Sequence, residues 1–226
     1  MSRLSATILS LGVVLLGLPL SACSSFPFFY RAEAIEGWVV DAETGKPLEG
    51  VIVVAHWQLK GGFEGGNPVA EVKISESVTD QNGRYSFSAW GPKFAFFGSL
   101  TSESPELLFF KRGYRYQGLV NNWYPGRDMS KSDWNGKTVK LERFGGEVEA
   151  YARHLERLSS ELWRIGHDNE PCGWKSFPRL ILALHAQDAE FRRVGINYGS
   201  VASALRSNDS LLRAAGCGSI EEIFRP

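Results

Sequence analysis

His167 and Glu170 have the spacing in this chain that comes nearest to a metal site. In the pattern H-x-x-E, an imidazole and a carboxylate can hold one zinc ion when a distant second histidine completes the ligand set. The chain has four histidines, so one such match arises readily by chance. The pair also adjoins Pro171 and Cys172 in a predicted loop, which is a poor frame for two preorganised ligands. We therefore predict no metal site and no cofactor.

The other histidines, His56, His154 and His185, are isolated in the sequence from one another and from any obvious nucleophile. The chain contains no H-E-x-x-H, no G-x-S-x-G and no P-loop, the motifs that would supply zinc ligands, an activated serine or a phosphate cradle. Structural roles explain such histidines better than catalytic ones. The sequence predicts no catalytic residue, and we expect a protein that is not an enzyme.

Two turns carry carboxylate and amide side chains whose oxygens calcium would accept as ligands. Asp41 and Glu43 lie in one turn, and Asp80 and Asn82 lie in the other. Calcium needs six or more oxygens that converge on one point, and two separate turns supply too few. Turn chemistry explains these residues, because Asp and Asn side chains accept hydrogen bonds from the backbone that follows them.

Cys172 and Cys217 are the only cysteines beyond Cys23. In an oxidising compartment a lone pair of cysteines usually forms a disulfide. The bridge would close a loop of about 45 residues, which the chain-entropy model values at roughly 4 kcal/mol at most. We predict a Cys172–Cys217 disulfide; the alternative is two buried thiols.

Cys23 has a local context that predicts a specific modification. Residues 1–22 have the pattern of a signal peptide, with Arg3 ahead of an apolar run that ends in Leu20-Ser21-Ala22-Cys23. This end resembles the lipobox of bacterial lipoproteins. The resemblance implies cleavage before Cys23 and acylation of that residue, including palmitate-type chains. The alternatives are a plain secretory signal and an uncleaved membrane helix, for which the run is short.

The resemblance to lipoproteins also implies a location. In that family an Asp after the cysteine marks retention in the inner membrane, and this chain has Ser24. We expect an anchor in the outer membrane, on its periplasmic side. Residues 23–33 would form the lipidated tether. Its aromatic residues would pack on the folded domain or lie at the bilayer interface, and the sequence leaves both possibilities open.

Aromatic residues near long predicted loops are the remaining candidates for a binding site. The chain has seven tryptophans, and binding sites are commonly built on loops that a rigid scaffold positions. Aromatic rings can stack on sugars or anchor protein partners. The alternative is that they cap the ends of the fold. The candidate ligand-binding residues are Trp90, Trp123, Tyr124 and Trp134.

Residues 34–144 have the pattern of a β-rich domain. Short runs of β-branched and aromatic residues alternate with turns rich in Gly, Asp and Pro, as in a β-sandwich. The run from Val51 to Trp57 is apolar throughout, which predicts a strand buried on both faces. The predicted strands cover residues 35–40, 51–57, 69–79, 84–88, 107–110 and 137–141.

Three stretches of this region are similar to the carboxypeptidase regulatory-like domains. The stretches are Ile35-x-Gly37-x-Val39-x-Asp41-x-x-Thr44-Gly45-x-Pro47-Leu48-x-Gly50-Val51-x-Val53, then Thr79-Asp80-x-x-Gly83-x-Tyr85-x-Phe87, and Phe110-Lys111-Arg112-Gly113-Tyr114. The resemblance covers about half of the mature chain. It implies a prealbumin-like (transthyretin-type) β-sandwich. Long loops at residues 60–68, 91–105 and 121–136 depart from the family pattern.

Residues 145–226 have a helical pattern. Apolar residues step by three and four from Val148 to Ile165 and form one stripe of an amphipathic helix. A second helix is predicted from Phe177 to Val194, with shorter pieces at residues 198–205 and 209–215. Such a helical region must bury its stripe on itself, on the sandwich or on a partner. The predicted fold is therefore mainly β plus α, a prealbumin-like sandwich followed by a helical C-terminal region.

Composition excludes one class of partner. Basic and acidic residues number 25 each, and this balance gives no indication of nucleic-acid binding. The function we expect is a non-catalytic, membrane-anchored envelope lipoprotein with a binding or structural role, whose partners are the lipid bilayer and an envelope protein or glycan. The alternatives are a glycan- or peptidoglycan-binding module that uses the loop aromatics, and an accessory subunit of an envelope complex.

Overall fold

The computed structural model describes residues 29–61, 67–94, 98–101, 103–167, 172–197, 200–219 and 222. The predicted signal peptide, Cys23 and the first part of the predicted tether lie outside these residues. The strands are β1 (Phe29–Ala32), β2 (Ile35–Asp41), β3 (Ile52–Gly61), β4 (Asn67–Val78), β5 (Arg84–Phe87), β6 (Trp90–Phe94), β7 (Ser99–Leu100), β8 (Glu106–Phe110), β9 (Gln117–Leu119) and β10 (Lys137–Leu141). The helices are α1 (Val148–His167), a 3₁₀-helix (Gly173–Ser176), α2 (Pro178–Arg193), α3 (Val201–Ser207) and α4 (Asp209–Ala214).

The predicted mixture of strands followed by helices is confirmed. Each of the six predicted strands has a counterpart in β2, β3, β4, β5, β8 and β10, and the four predicted helical segments correspond to α1 to α4. Four further strands were not predicted. β1 lies in the predicted tether, β6 and β7 lie at or within the predicted loop at residues 91–105, and β9 lies in a stretch to which the sequence assigns no element. None of the helices in the described part of the chain combines the length and apolar character that crossing a bilayer requires.

The strands form two sheets and a ribbon. In the first sheet the order is β10-β2-β5, with β2 parallel to β10 and antiparallel to β5. The second sheet has the order β4-β3-β8-β9, and β7 also pairs with β3. The strands β1 and β6 pair antiparallel as a separate ribbon, which we call the β1–β6 ribbon.

The two sheets share one hydrophobic core. Strand β2 alternates between buried and half-buried residues, as expected when successive side chains point to opposite faces. Its inward residue Val39 lies in the same cluster as Tyr85 of β5, Phe109 of β8 and Leu141 of β10. The β1–β6 ribbon contributes Tyr30 and Ala32 of β1 to this cluster, and Trp90 of β6 packs against it.

The helices cover the other face of the second sheet. Ile52, Val54, Leu108 and Phe110 point to this face and form a second cluster with the helical residues. The stripe of α1 that the sequence predicts is buried there through four residues: Tyr151, Leu155, Leu158 and Leu162. Strand β3 is therefore enclosed by both cores, which confirms the prediction that its apolar run is buried on both faces. The chain's own sheet and helices thus bury these four residues of the stripe.

Glu76 of β4 joins the sheet to the start of α2. Its two carboxylate oxygens accept hydrogen bonds from the N–H groups of Leu180 (2.8 Å) and Arg179 (3.1 Å). A carboxylate suits this position, because the first N–H groups of a helix lack partners within the helix and carry partial positive charge. Burial raises the pKa of Glu76, and the two backbone hydrogen bonds oppose that rise.

The predicted disulfide is present. Cys172 precedes the 3₁₀-helix and Cys217 follows α4, and the bridge joins them across 45 residues with their Cα atoms 5.2 Å apart. Cys217 is buried in the cluster between the helices and the second sheet. The bridge thus ties the last helix back to the chain ahead of α2.

Candidate functional site

The acidic turn residue Asp41 organises the end of β2. Its Oδ1 accepts hydrogen bonds from the N–H groups of Thr44 (2.9 Å) and Glu43 (3.0 Å), and its Oδ2 accepts from the Tyr114 hydroxyl (2.9 Å) and the Arg143 Nε (3.1 Å). The hydrogen bonds from the Thr44 backbone and the Tyr114 hydroxyl lower the pKa of Asp41 to about 2. Because hydrogen-bond donors already surround this carboxylate, no bound cation is needed to explain an acidic residue at this position.

Thr79 directly follows β4 and begins the second of the three stretches that carry the family resemblance. Its buried hydroxyl donates to the Leu48 carbonyl (2.6 Å) and accepts from the Val51 N–H (2.8 Å). The Thr79 hydroxyl, the Leu48 carbonyl and the Val51 N–H therefore all have hydrogen-bond partners. This side chain joins the stretch around Leu48 to the stretch that begins at Thr79, together with backbone hydrogen bonds between Thr79 and residues Gly50 and Val51.

The turn after Thr79 is held by Asp80 and Gly83. The Asp80 Oδ1 accepts from the N–H groups of Asn82 and Arg84, both at 2.9 Å. Gly83 has a φ of 72°, and a Cβ at this position would meet the Val39 carbonyl oxygen at 2.3 Å. The turn therefore requires glycine both for its left-handed conformation and for close contact with β2. The acidic residues of both turns act in folding.

The H-x-x-E pair, His167 and Glu170, lies only partly within the described residues. Helix α1 extends to His167, so this residue ends a helix where the sequence predicts a loop. Its side chain and Glu170 lie outside the described residues. Across the described ranges, no group of three or more His, Cys, Asp and Glu residues converges as metal ligands would.

His154 is a buried histidine held by neighbours on several sides. Its Nε2 accepts from the Tyr116 N–H at 3.1 Å, and its ring packs on Tyr116 (centroids 4.4 Å apart) and Phe144 (5.4 Å). Burial, together with the nearby charges of Arg157 and Arg115, lowers its pKa to about 4. His154 is therefore neutral at pH 7 and accepts a hydrogen bond there, which is a structural role.

Trp90 and Trp134, two of the four predicted binding aromatics, belong to the core rather than to an open surface. Trp90 is half-buried and packs edge-to-face on Trp57, with ring centroids 5.5 Å apart. Trp134 packs against the same cluster, and its Nε1 donates to the Val120 carbonyl at 2.9 Å. The geometry of these two residues fits the alternative prediction, in which aromatic side chains cap the end of the fold, better than it fits stacking on a ligand.

The other two predicted aromatics are exposed. Trp123 leaves 70% of its surface to solvent and Tyr124 leaves 51%. The Arg127 guanidinium carbon lies 5.7 Å from the centre of the Tyr124 ring, within the range of a cation–π contact. An exposed tryptophan beside a tyrosine held by a buried arginine is an available platform for a planar or sugar ligand.

Arg127 fastens the loop that carries these rings. Its guanidinium donates to the Asp133 carboxylate and, at 2.6 Å, to the Lys131 carbonyl, and the side chain is only 2% exposed. Desolvation opposes ionisation of Asp133, yet the hydrogen bonds from Arg127 and the Asn122 N–H hold the pKa of Asp133 below its ordinary value. Arg127 is thus a buried residue that holds residues 121–133 together, and it is not an exposed charge at the edge of a site.

A cleft of about 510 Å³ lies beside this loop, between it and the β1–β6 ribbon. Its volume falls within the range typical of small-molecule sites. Aromatic and aliphatic surfaces alternate in it with hydroxyl and charged groups. The lining residues are Phe29, Tyr30, Arg31, Gly98, Ser99, Leu100, Arg127, Asp128, Met129 and Ser130.

Two hydrogen bonds connect the walls of the cleft. The Tyr30 hydroxyl donates to the Gly98 carbonyl at 2.5 Å, and the Glu33 N–H donates to the Ser130 carbonyl at 2.8 Å. The Arg127 Nε is buried without a hydrogen-bond partner among the described groups. Sequence reasoning missed the β1 wall, because β1 falls within the predicted tether, is too short for a clear period, and pairs with a strand about 60 residues away.

Comparison with known proteins gives limited information. No protein-family model matches the chain, and neither does any curated protein. The resemblance to carboxypeptidase regulatory-like domains therefore stays a prediction.

Three solved structures are similar to part of the chain. The 3-chlorocatechol 1,2-dioxygenase of Rhodococcus opacus 1CP has 16% identity over 50% of this chain and 60% of that chain, with a TM-score of 0.31. The 9R-lipoxygenase of Cyanothece PCC8801 has 19% identity over 54% and 18%, with a TM-score of 0.28. The dioxygenase domain of a carbohydrate-binding fusion protein from Streptomyces sp. SirexAA-E has 16% identity over 54% and 84%, with a TM-score of 0.26.

These matches are enzymes, and they contradict the prediction that the chain is not an enzyme, which is withdrawn. The chain spans 60% of the first of these proteins and 18% of the second. TM-scores near 0.3 do not assign the reaction of any of them to this chain.

Proposed function

We propose that this protein is a lipid-anchored protein of the bacterial envelope, held by acylated Cys23 at the periplasmic side of the outer membrane. The observation that carries the proposal is the sequence Leu20-Ser21-Ala22-Cys23 at the end of an apolar segment. Two or more acyl chains anchor a protein stably, whereas one chain binds only marginally. Ser24, in place of Asp, favours the outer membrane.

The disulfide supports export. Disulfides persist in the periplasm and outside the cell, and they are rare in the reducing cytosol. Cys172 and Cys217 are paired, so the described chain contains a bond that belongs to an oxidising compartment. This observation is independent of the N-terminal sequence.

We also propose that the two sheets form a prealbumin-like sandwich of the carboxypeptidase regulatory-like type. The support is that the three stretches that carry the resemblance contact one another. Asp41 binds Tyr114, Thr79 binds Leu48, and a Cβ on Gly37 would meet the Tyr85 hydroxyl oxygen at 2.5 Å. Gly37 and Tyr85 are partners in neighbouring strands of the first sheet, and Asp41 joins the end of β2 to Tyr114, which follows β8.

The role we propose for the anchored domain is binding, at the cleft between the β1–β6 ribbon and residues 127–130. A second candidate, glycan binding by the loop aromatics, is favoured by the 70% exposure of Trp123. A flat exposed ring suits stacking on a sugar, and residues 127–130, later in the same loop, line a cleft with hydroxyl and charged groups.

The anchor is tested by fractionation of cells that produce Cys23→Ala or, as a matched control, Ser25→Ala. We expect the control to stay in the membrane fraction and to resist extraction by salt. The Cys23→Ala protein should lose its acyl chains and leave that fraction. If it stays in the membrane to the same extent as the control, the anchor proposal is wrong.

Glycan binding is tested by titrating soluble cell-wall fragments and polysaccharides while tryptophan fluorescence is recorded. We expect a saturable change that Trp123→Ala removes and that Leu211→Ala, an exposed apolar change in α4, leaves intact. The absence of any saturable change with every fragment would remove this candidate.

A further inference from the structure

The outer face of the β1–β6 ribbon exposes two phenylalanines. Phe29 and Phe94 are opposite each other in the strand register, with ring centroids 5.3 Å apart. They are 54% and 51% exposed, while Tyr30, the neighbour of Phe29, points inward and is buried. Paired exposed rings of this kind are unfavourable in water and mark surfaces that contact a partner or a membrane.

A basic residue accompanies the two rings. Arg31 is exposed and lies two residues after Phe29, on the same face of β1. Lys93 lies on the other face of the ribbon, because it is the register partner of inward-pointing Tyr30, and its ammonium group donates to the Val72 carbonyl at 2.7 Å. An aromatic surface with a cationic side chain beside it matches a bilayer interface, where rings enter the headgroup region and cations contact anionic lipids.

The position of Cys23 restricts where this face can lie. Six residue steps separate Cys23 from Phe29, and even a fully extended chain covers at most about 3.6 Å per residue. With Cys23 acylated at the bilayer surface, Phe29 therefore lies within about 22 Å of that surface. A folded chain of this length has a radius of gyration of about 17 Å. The anchor thus holds the β1–β6 ribbon among the parts of the protein nearest to the lipid.

We propose that the outer face of the β1–β6 ribbon, formed by Phe29, Phe94 and Arg31, docks on the surface of the bilayer that holds the lipid anchor. The proposal rests on acylation of Cys23. The two rings enter the interface and the Arg31 guanidinium contacts anionic headgroups. The docked ribbon gives the domain one orientation, with the wall of the cleft that contains Phe29 next to the membrane.

The test measures the depth of this face with tryptophan probes. The lipidated protein, carrying Phe94→Trp or the control Val194→Trp, is reconstituted in phosphatidylcholine–phosphatidylglycerol vesicles whose acyl chains are brominated close to the headgroup. Val194 is 63% exposed and follows α2. Bromine quenches only rings that enter the interface, so we expect at least about twofold more added quenching for Phe94→Trp than for Val194→Trp, each relative to the unsubstituted protein.

Two readouts keep the anchor and the docking separate. Mass analysis of Cys23 and sedimentation with the vesicles report the anchor, and quenching reports the docking. If the acylated protein sediments with vesicles and both probes are quenched equally, or neither is quenched, docking is overturned and the anchor stands. If Cys23 carries no acyl chain, the anchor and the docking that rests on it are both overturned. Circular dichroism checks that each variant keeps the fold.

Discussion

At the scale of the residue, the polar side chains that attract attention in the sequence serve mainly to hold the fold. Asp41 and Thr79 satisfy backbone and side-chain partners at two turns, and His154 accepts a backbone N–H in a buried aromatic setting. Burial and hydrogen bonding determine the protonation of the two ionisable residues among them, Asp41 and His154. Their roles predict measurable effects on stability.

His154 predicts that acid destabilises the protein. Its pKa is about 4 in the folded chain and about 6.5 in an unfolded one. The unfolded state therefore binds the proton more readily between these values, so the contribution to stability is present above about pH 6.5 and is lost as the pH falls towards 4. Between pH 7 and pH 5, the unsubstituted protein should lose about 1 to 2 kcal/mol more of its free energy of unfolding than His154→Gln, as measured by urea unfolding.

The variant and the unsubstituted protein would have to be compared at both pH values. Gln keeps an acceptor for the Tyr116 N–H but does not titrate. If both proteins lose the same stability between pH 7 and pH 5, His154 is not the group responsible.

The buried hydroxyl of Thr79 predicts that its removal lowers the free energy of unfolding. Thr79→Val keeps the shape of the side chain but leaves the buried Leu48 carbonyl and the Val51 N–H without their partner. Unsatisfied buried polar groups typically cost about 1 to 3 kcal/mol. Chemical denaturation should show a loss of this size for Thr79→Val and almost none for Thr138→Val, at an exposed position of β10. Equal losses in the two variants would contradict the role of this hydroxyl.

At the scale of the element, regular patterns made most of the fold predictable. The continuous apolar run of β3 predicts a strand between two layers, and the three-and-four spacing from Tyr151 to Leu162 predicts the buried stripe of α1. The β1–β6 ribbon could not be predicted in this way. Strand β1 has four residues, too few for a clear period, and its partner lies about 60 residues later in the chain.

The candidate site was predicted only in part for the same reason. The sequence groups Trp90, Trp123, Tyr124 and Trp134 as loop aromatics, but tertiary packing separates them into two core residues and two exposed ones. Residue type does not reveal this difference, because tryptophan is common both in cores and at binding surfaces. The cleft depends on the ribbon and was not visible from the sequence.

Glu76 predicts that the start of α2 depends on β4. Glu76→Ala removes the acceptor for the N–H groups of Arg179 and Leu180, and loss of a helix cap typically costs about 1 kcal/mol. Hydrogen exchange of residues 179–182 should become faster, and Glu76→Gln should restore most of the protection because it keeps one acceptor oxygen. A control, Glu149→Ala in the exposed first turn of α1, should leave α2 unchanged.

Protection in α2 that is the same in Glu76→Ala and in the unsubstituted protein would show that the carboxylate does not act as a cap. The readout is local, so a general loss of stability would be recognised by faster exchange in all elements.

At the scale of the whole molecule, two sheets enclose one core, and the helices enclose a second core on the far side of the second sheet. The chain enters this assembly through β1, and β1 forms a wall of the cleft. The segment that joins the folded part to the proposed anchor is therefore also part of the proposed binding region. The proposed membrane tether and the proposed binding cleft therefore share β1.

The disulfide predicts the stability of the helical region as a unit. Replacing both Cys172 and Cys217 by Ala removes a closure of 45 residues, for which typical losses are about 2 to 4 kcal/mol. Thermal unfolding should shift to lower temperature in the double variant, and reduction of the unsubstituted protein should give a similar shift. An unchanged unfolding midpoint in both experiments would contradict a stabilising bridge.

The most direct test of the account is the mass of the N-terminal peptide from protein purified out of its native membrane. We predict a peptide that begins at Cys23, with the masses of a diacylglycerol on the sulfur and an acyl chain on the amine. A peptide that begins elsewhere, or one that begins at Cys23 without added lipid, would contradict the lipid anchor.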